Sequence, residues 1–478
     1  MSDIRVRFAP SPTGFVHVGS LRTALYNYLF AKRHDGKYVL RIEDTDQARY
    51  TEGAVENLLD TLKWCGLSYD EGPGVEGDCG PYYQSRRLST YHEYIEQLIE
   101  KDAAYPCFCS EERLEKMREE QIRKKLTPKY DGYCRRLEKR EALSRRKDET
   151  HVIRLKIPSD GVTTVKDIIR GEVSFQNEMI DDQVLLKSDG FPTYHLANVV
   201  DDYLMNITHV IRGEEWLIST PKHILLYNYF GWSCPQFAHL PLLLNPDRSK
   251  LSKRQGDVAV EDYRKKGYLP EALLNFVALL GWNRGDDEEL FSLEELVRDF
   301  SLERVNKSGA VFNLEKLKWM NSQYIRKLPE NQYLTLAFEA MENAGLDTGN
   351  RQTNEQIALA VRNSIDTFSE IKDRAALFFH KGPLNFTESA LNWVKLETSK
   401  RVFMAMVSEM NDHSEITLDT FKIVMGNVQK ETDIKGKELW MPVRSALTGT
   451  TEGPELPQVI QILGKEKIVN LLEQAIKR

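Results

Sequence analysis

The stretch "RFAPSPTGFVHVGSLRTAL", from Arg7 to Leu25, sets two prolines and two glycines between an apolar run and a helical pattern, with His17 at the join. Ahead of the break, "IRVRFA" (Ile4 to Ala9) alternates as a strand does, and "PSPTG" ends it. After Gly19, residues Leu21, Ala24, Leu25, Tyr28 and Leu29 fall at i, i+3, i+4, i+7 and i+8, the stripe of a helix lying on a sheet. A second strand pattern, "KYVLRI", starts at Lys37. Val55, Leu58, Leu59 and Leu62 then repeat the helical spacing, and Gly66 stands where a helix C-terminus favours glycine. This β-α-β-α order predicts a parallel sheet that binds its ligands at the strand carboxyl ends.

The whole chain has 478 residues, so at about 150 per domain it predicts roughly three domains. With 41% hydrophobic and 29% charged residues it has the composition of a soluble globular protein, and no apolar run approaches the ~20 residues that span a bilayer. The opening "MSDIRVRFAP" reads as neither an export signal nor an import leader, so the expected location is the cytoplasm. Six cysteines are too few for a disulfide scaffold and suit a reducing compartment; only Cys107 and Cys109 are spaced as if arranged. A net charge of -7 neither demands nor excludes nucleic acid, because an acidic protein can carry a locally basic surface.

Near Ala104 the pattern changes. "PCFCSEERLEKMREEQIRKKLTPKYDGYCRRLEKR" is highly charged and mostly helical, and short strands such as "HVIRLKI", "GEVSFQ" and "QVLLKSDG" follow up to about Gly190. This reads as a domain inserted into the first. Sheet and helix patterns resume with "THVIRG" and "TPKHILLYNYFGW", and "FAHLPLLLN" leads into the lysine-rich loop "DRSKLSKRQGD". Beyond about Tyr263 almost every pattern is helical and no cluster of catalytic residue types stands out. The predicted segments are 1–104 and 191–254 for two halves of a Rossmann-type α/β catalytic domain, 105–190 for the α+β insert, 255–320 for a connecting domain, and 321–478 for an all-α half of two subdomains.

Two elements point to chemistry. Gly14 and Gly19 permit close approach of a ligand to the backbone, and the amides opening the helix near Ser20 form an anion site at which His17 is aimed. "KLSKR", Lys250 to Arg254, puts three cations in five residues after an apolar strand. Either alone reads as a capping histidine or a solvated loop; together they can bracket a triphosphate whose α-phosphorus is attacked.

Together, "HVGS" (His17 to Ser20) and "KLSKR" resemble the HIGH and KMSKS signatures of class I aminoacyl-tRNA synthetases. "RFAPSPTG", "RIEDTD" (Arg41 to Asp46), "KSDGFPTYHLANVVDD" (Lys187 to Asp202) and "VIRGEEW" (Val210 to Trp216) are similar to the bacterial-type glutamyl-tRNA synthetases, as are "FNLEKLKWMN" and "PVRSALTG" more loosely. Ser20 replaces the second histidine of one signature and Arg254 the last serine of the other, both usual in that family. The resemblance implies a glutamate–tRNA ligase that uses ATP and Mg2+ and acts as a monomer on L-glutamate and tRNA(Glu), with neither DNA nor a membrane as partner. It implies catalytic roles for His17, Lys250 and Lys253. Arg7, Arg212 and Tyr194 would take the glutamate side chain, with Ser11, Glu43 and Asn198 on the α-amino acid end. Gly14, Gly19, Ser20, Glu215 and Trp216 would lie with His17 and the two lysines at the ATP, and Asp44 at the tRNA.

By the same resemblance Cys107, Cys109, Tyr130 and Cys134 match a structural zinc site found in some members, and buried free cysteines are the competing reading. The helical half would bind the anticodon. There the family places a discriminating arginine shortly before a "D-T-[LF]" step; "VRNSIDTFSEI" puts Ser364 at that position and Arg362 two residues earlier, which implies charging of tRNA(Gln) as well. A truncated paralogue that modifies tRNA(Asp) lacks a helical half, glutaminyl-tRNA synthetase carries β-barrels there, and a non-catalytic relative would lack the ATP signatures.

Overall fold

In the computed structural model, which describes residues 4–251, 259–380 and 384–478, the chain forms two compact units. One comprises residues 1–262 with 273–313, the other 263–272 with 314–478. Lys253 and the segment boundary at residue 254 lie outside the described residues.

The first unit starts as the sequence predicts. Strand β1 (Arg5–Phe8) enters α1 (Val18–Arg33), and β2 (Lys37–Leu40) returns parallel to β1 in the register Arg5↔Lys37 to Phe8↔Leu40. Val18, Leu21, Ala24, Leu25 and Leu29 are completely buried, so the apolar stripe of α1 is the face that packs on the sheet. Helix α2 (Ala54–Trp64) follows, then α3 (Leu88–Glu100). The chain next enters β3 (Ala104–Cys107), α4 (Glu111–Arg123), α5 (Lys139–Arg145), β4 (Val152–Leu155), β5 (Val162–Asp167), β6 (Gly171–Gln176) and β7 (Val184–Leu186). It then returns through α6 (Tyr194–Leu204), β8 (His209–Gly213), α7 (Thr220–Phe230) and β9 (Gln236–Leu240).

Within this unit β8 and β9 pair in parallel, and the Thr208 N–H ahead of β8 donates to the Arg5 carbonyl at 2.9 Å, laying β8 beside β1. The strands that the sequence groups with the insert divide. Strands β3, β4 and β7 make an antiparallel sheet of their own, whereas the β5–β6 hairpin joins the edge of the main sheet, Asp167 pairing with Phe237 of β9. The burial of β5 alternates, Thr163, Val165 and Asp167 facing inward between exposed neighbours, as in a sheet with one covered face.

Helices dominate the second unit, with two hydrophobic clusters. One is built on Tyr333, Ala337, Met341, Val361, Ile365 and Ile371, the other on Phe403, Met406, Phe421, Val443, Ile460 and Leu472. No helix among the described residues is long and apolar enough to cross a membrane.

Candidate active site

A cleft of about 660 Å3 opens at the carboxyl ends of β1 and β8, where a parallel sheet presents its ligand site. It is lined by Arg7, Ser11, Gly14, His17, Gly19, Ser20, Glu43, Tyr194, Arg212, Glu215, Trp216 and Lys250, so the structure gathers twelve of the predicted site residues around one space.

His17 is the N-cap of α1. Its Nδ1 accepts from the amides of Gly19 at 3.1 Å and Ser20 at 3.2 Å, and its Nε2 lies 3.1 Å from Ser20 Oγ. The anion site expected at those amides is therefore filled by the imidazole itself, and Nδ1, as an acceptor, leaves the ring proton on Nε2. Gly19 makes this possible: a Cβ there would stand 3.0 Å from His17 Cε1 and 3.1 Å from Nδ1. On the opposite wall, the exposed Lys250 bridges to Leu244, and its carbonyl accepts from Asn245 Nδ2 at 3.2 Å.

At the cleft floor a charged network is almost fully buried. Arg7 Nε donates to Asp202 Oδ1 at 3.0 Å and its Nη2 to Asn198 Oδ1 at 3.2 Å. Arg41 Nη1 donates to the same Asp202 oxygen at 2.7 Å and its Nη2 to Glu43 Oε1 at 3.0 Å. Burial pushes the Asp202 carboxyl up, but Arg7 and Arg41 outweigh it and hold the group below the usual carboxylate range. For Glu43 burial wins over the two arginines and its pKa is raised. Arg41 and Asp202 are members of this network that site-by-site reading did not single out, although both stand inside quoted motifs; the signal was Arg41 followed by Glu43 and Asp44 in one motif and the Asp201–Asp202 pair in the other.

Arg212 of β8 carries the other side of the cleft. It donates to Tyr194 Oη at 2.8 Å, and Tyr194 in turn packs on Trp216 with ring centroids 4.1 Å apart. Arg22, also in the lining, was not foreseen. It is buried, donates through Nη1 to the Leu280 carbonyl at 2.9 Å and through Nη2 to the Pro241 carbonyl, and burial lowers its pKa.

Other predicted residues are engaged differently. Both Asp44 oxygens are taken by Ser85, through its N–H at 2.8 Å and its hydroxyl at 2.6 Å. The Arg362 guanidinium donates to the carbonyls of Ile325 and Arg326 at 3.0 Å and to that of Leu328, and lies over the Tyr333 ring; Ser364 Oγ donates to the Val361 carbonyl at 2.8 Å. Away from the cleft, the sulfurs of Cys107, Cys109 and Cys134 lie within 4.8 Å of one another, and the Tyr130 hydroxyl stands 3.4 Å from the first two. Three thiols and a phenol converging on one point fit the donor set of a structural zinc site.

Residues 3–319 match the family described as tRNA synthetases class I (E and Q), catalytic domain, and residues 323–476 match the anticodon binding domain family. The glutamate–tRNA ligase of Clostridioides difficile (strain 630) is 48% identical over 98% of both chains, and that of Finegoldia magna 46% identical over the full length of both. Among solved structures, a glutamate–tRNA ligase from Elizabethkingia meningosepticum, in complex with its amino acid, superposes with a TM-score of 0.89 at 35% identity over 100% of this chain and 99% of that one. The glutamate–tRNA synthetase of Elizabethkingia anophelis gives 0.90 at 36% over all of both.

Proposed function

Because the chain belongs to the class I tRNA synthetases, and among them to the glutamate–tRNA ligases, we propose that the cleft activates L-glutamate with ATP and passes it to the terminal adenosine of tRNA(Glu). The observation that carries this reading is the placement of two buried guanidiniums, Arg7 and Arg212, on one cleft whose rim holds His17 and Lys250.

Arginine's planar fork is the natural receptor for a carboxylate. Arg212 and Tyr194 bind the glutamate side chain with Arg7, and Ser11, Glu43 and Asn198 hold the α-amino acid end. An oxygen of the α-carboxylate attacks the α-phosphorus of ATP in line. The new P–O bond forms as the bond to the bridging oxygen breaks, and pyrophosphate leaves. The 2′-hydroxyl of the terminal adenosine then attacks the carbonyl carbon and AMP departs.

No side-chain nucleophile is needed, so the protein contributes position and charge. His17, with Nε2–H as donor, and Lys250 with Lys253 meet the phosphates; Gly14, Gly19, Ser20, Glu215 and Trp216 shape the nucleotide site. A magnesium ion bound with the nucleotide would supply neutralisation of the phosphate charge. Cys107, Cys109, Tyr130 and Cys134 hold a structural zinc in the insert. The segments 1–104, 105–190, 191–254, 255–320 and 321–478 serve as catalytic, acceptor-binding, catalytic, stem-contacting and anticodon-binding parts of a cytoplasmic monomer.

The choice of tRNA rests on residues 361–371. Arg362 is occupied with the end of the helix Leu314–Lys327, which supports Ser364 as the residue facing the last anticodon base and an enzyme that charges tRNA(Gln) as well. Charging with radiolabelled glutamate, ATP and magnesium, in parallel with tRNA(Glu) and tRNA(Gln), tests both statements: both transcripts are expected to accept glutamate. Failure with tRNA(Gln) alone removes the relaxed specificity; failure with both removes the reading of the cleft.

A further inference from the structure

Arg212 is held from behind by two imidazoles. Its Nε donates to His239 Nε2 at 3.1 Å, and its Nη2 donates to Thr220 Oγ1 at 3.0 Å and to His223 Nδ1 at 3.2 Å. Each ring is fixed by a partner on its far side. His239 Nδ1–H donates to Asp167 Oδ2 at 2.6 Å, and His223 Nε2–H donates to His195 Nδ1 at 3.1 Å. Asp167 is fixed in turn by the amides of Ile169 at 3.0 Å, Arg170 at 2.8 Å and His239 at 3.1 Å. His223, His239, Arg212 and Thr220 are all 5% exposed or less.

A guanidinium has only donors, so a ring nitrogen that faces it must be an acceptor. That fixes the tautomer of both histidines: His239 carries its proton on Nδ1 and His223 on Nε2. Burial agrees, taking His239 down to about 4 and His223 well below its ordinary value, so both rings are neutral at physiological pH. Among the described residues four of the five guanidinium N–H groups are thus assigned, to His239, Thr220, His223 and Tyr194, and no carboxylate is among the partners. The fifth N–H is on Nη1, the nitrogen beside the Tyr194 hydroxyl at the cleft.

We propose that His239 and His223 are positioning residues for glutamate selection, clamping Nε and Nη2 of Arg212 so that its remaining Nη1–H and its charge are presented, with the Tyr194 hydroxyl, to the substrate's side-chain carboxylate. Neutral acceptors suit this task better than acids. A carboxylate behind Arg212 would satisfy the charge internally and weaken the preference for an anionic side chain over an amide, whereas an imidazole fixes the direction and leaves the charge to the substrate. Asp167 is the anchor that keeps the His239 tautomer.

This inference rests on the proposed role of Arg212 as a glutamate ligand, and the experiment separates the two. Steady-state charging of tRNA(Glu) is measured while glutamate and ATP are varied in turn, for Arg212→Leu, His239→Leu, His239→Gln, His223→Leu and His223→Asn. The glutamine amide oxygen can take the place of His239 Nε2, and the asparagine oxygen that of His223 Nδ1. Each leucine variant is expected to raise KM for glutamate by roughly tenfold or more with KM for ATP within about twofold, and each amide variant to recover most of that loss. Equal damage by leucine and amide variants, or a parallel rise in both KM values, overturns the clamp. An unchanged KM for glutamate in Arg212→Leu overturns the role of Arg212 itself, whatever the histidines do. If His239→Leu does not fold, as its buried contact with Asp167 makes conceivable, the His223 pair decides by the same criteria.

Discussion

Nε of Arg7 and Oδ1 of Asp202 lie 3.0 Å apart at the floor of the cleft, both almost fully buried, and the same oxygen receives Arg41 Nη1 at 2.7 Å. One carboxylate oxygen therefore orients a guanidinium that lines the cleft and another that holds Glu43. Its neighbour on α6, Asp201, touches the same network only through a longer ion pair to Arg41 Nε at 3.8 Å; its hydrogen bonds go elsewhere, accepting from Gln84 Nε2 at 2.8 Å, Arg87 Nε at 2.7 Å and Tyr91 Oη at 2.8 Å.

Asp202→Asn removes the ion pair of the buried Arg7 and one of the three made by Arg41, a change that costs about 3 kcal/mol or more of stability. It also releases Arg7, so KM for glutamate rises. Asp201→Asn is expected to lower the melting temperature comparably while KM for glutamate stays within about twofold, because its hydrogen-bond partners Gln84, Arg87 and Tyr91 do not line the cleft and Arg41 keeps its shorter bonds to Asp202 and Glu43. Denaturant melts together with glutamate-dependent charging check both; equal effects on KM would mean that the two acids are not functionally separate.

His17 holds two roles that substitution can divide. As N-cap it satisfies the Gly19 and Ser20 amides through Nδ1, and in the proposed mechanism its Nε2–H, now 3.1 Å from Ser20 Oγ, would donate to the phosphates. Asparagine caps helices well but places nothing at Nε2. His17→Asn is expected to keep the melting temperature while kcat for charging falls about 100-fold, the size seen when one preorganised transition-state donor is lost. His17→Ala is expected to lose about 1 kcal/mol of stability in addition. Retained activity in His17→Asn would reduce the residue to a cap.

The elements read correctly from sequence are those whose signal is local: the stripe of α1, the alternation of β1, the strand-to-helix break that frames His17. What the sequence left hidden is pairing over distance. Strands β5 and β6 alternate as any hairpin does, and nothing in "VTTVKD", the sequence of β5, says that its second partner will be β9 instead of β4. Likewise Asp167, His223 and His239 stand 45, 11 and 27 residues from Arg212 in the chain and belong to no single motif, yet they converge behind Arg212. Arg362 was legible as a cation near the anticodon segment; that it caps the helix Leu314–Lys327 depends on a turn that only the folded unit makes.

Acid should act on the cleft before it acts on the fold. Asp202, Asp167 and Glu71 all have folded pKa values below their ordinary ones. For Asp202 and Asp167 burial is outweighed by Arg7 and Arg41 or by the hydrogen bonds from His239 and neighbouring amides, and for Glu71 the Arg5 hydrogen bond leads. Depressed carboxyls contribute stability that is present above the unfolded value, near 4, and lost as pH falls through the folded one. Glu43 has the opposite sign, its pKa raised by burial, so it protonates earlier. KM for glutamate is expected to rise on acidification while far-UV circular dichroism is unchanged, and unfolding to follow at lower pH. Simultaneous loss of both would place the titrating group elsewhere.

The three cysteines and Tyr130 make a further prediction that needs no activity assay. Protein purified without chelator is expected to contain one zinc per chain by atomic emission, and Cys107→Ser or Cys134→Ser to lose it. Burial and the nearby Cys107 and Cys109 thiols raise the Tyr130 phenol in the apo arrangement, so zinc binding should release protons measurable in unbuffered solution. A wild-type protein without metal, with three titratable thiols, would favour the reading of plain buried cysteines.

The last prediction concerns the anticodon. Arg362 cannot both cap the helix Leu314–Lys327, through the carbonyls of Ile325, Arg326 and Leu328, and read a base; its contact with the Tyr333 ring, 4.8 Å to the centroid, fixes it further. Arg362→Ala is therefore expected to cost about 1 to 3 kcal/mol of stability in the helical unit and to change charging of tRNA(Glu) and tRNA(Gln) by the same factor. Ser364 is different. Its hydroxyl makes one local bond, to the Val361 carbonyl, so an arginine there is free to extend from the surface. A guanidinium can donate to one anticodon base and repel or leave unpaired another, which is worth about 1–3 kcal/mol of discrimination, or roughly 5- to 150-fold. Ser364→Arg is expected to retain charging of tRNA(Glu) while that of tRNA(Gln) falls by this factor. If Arg362→Ala instead changes the ratio between the two transcripts, Arg362 is the reader and the register places the wrong residue at the anticodon.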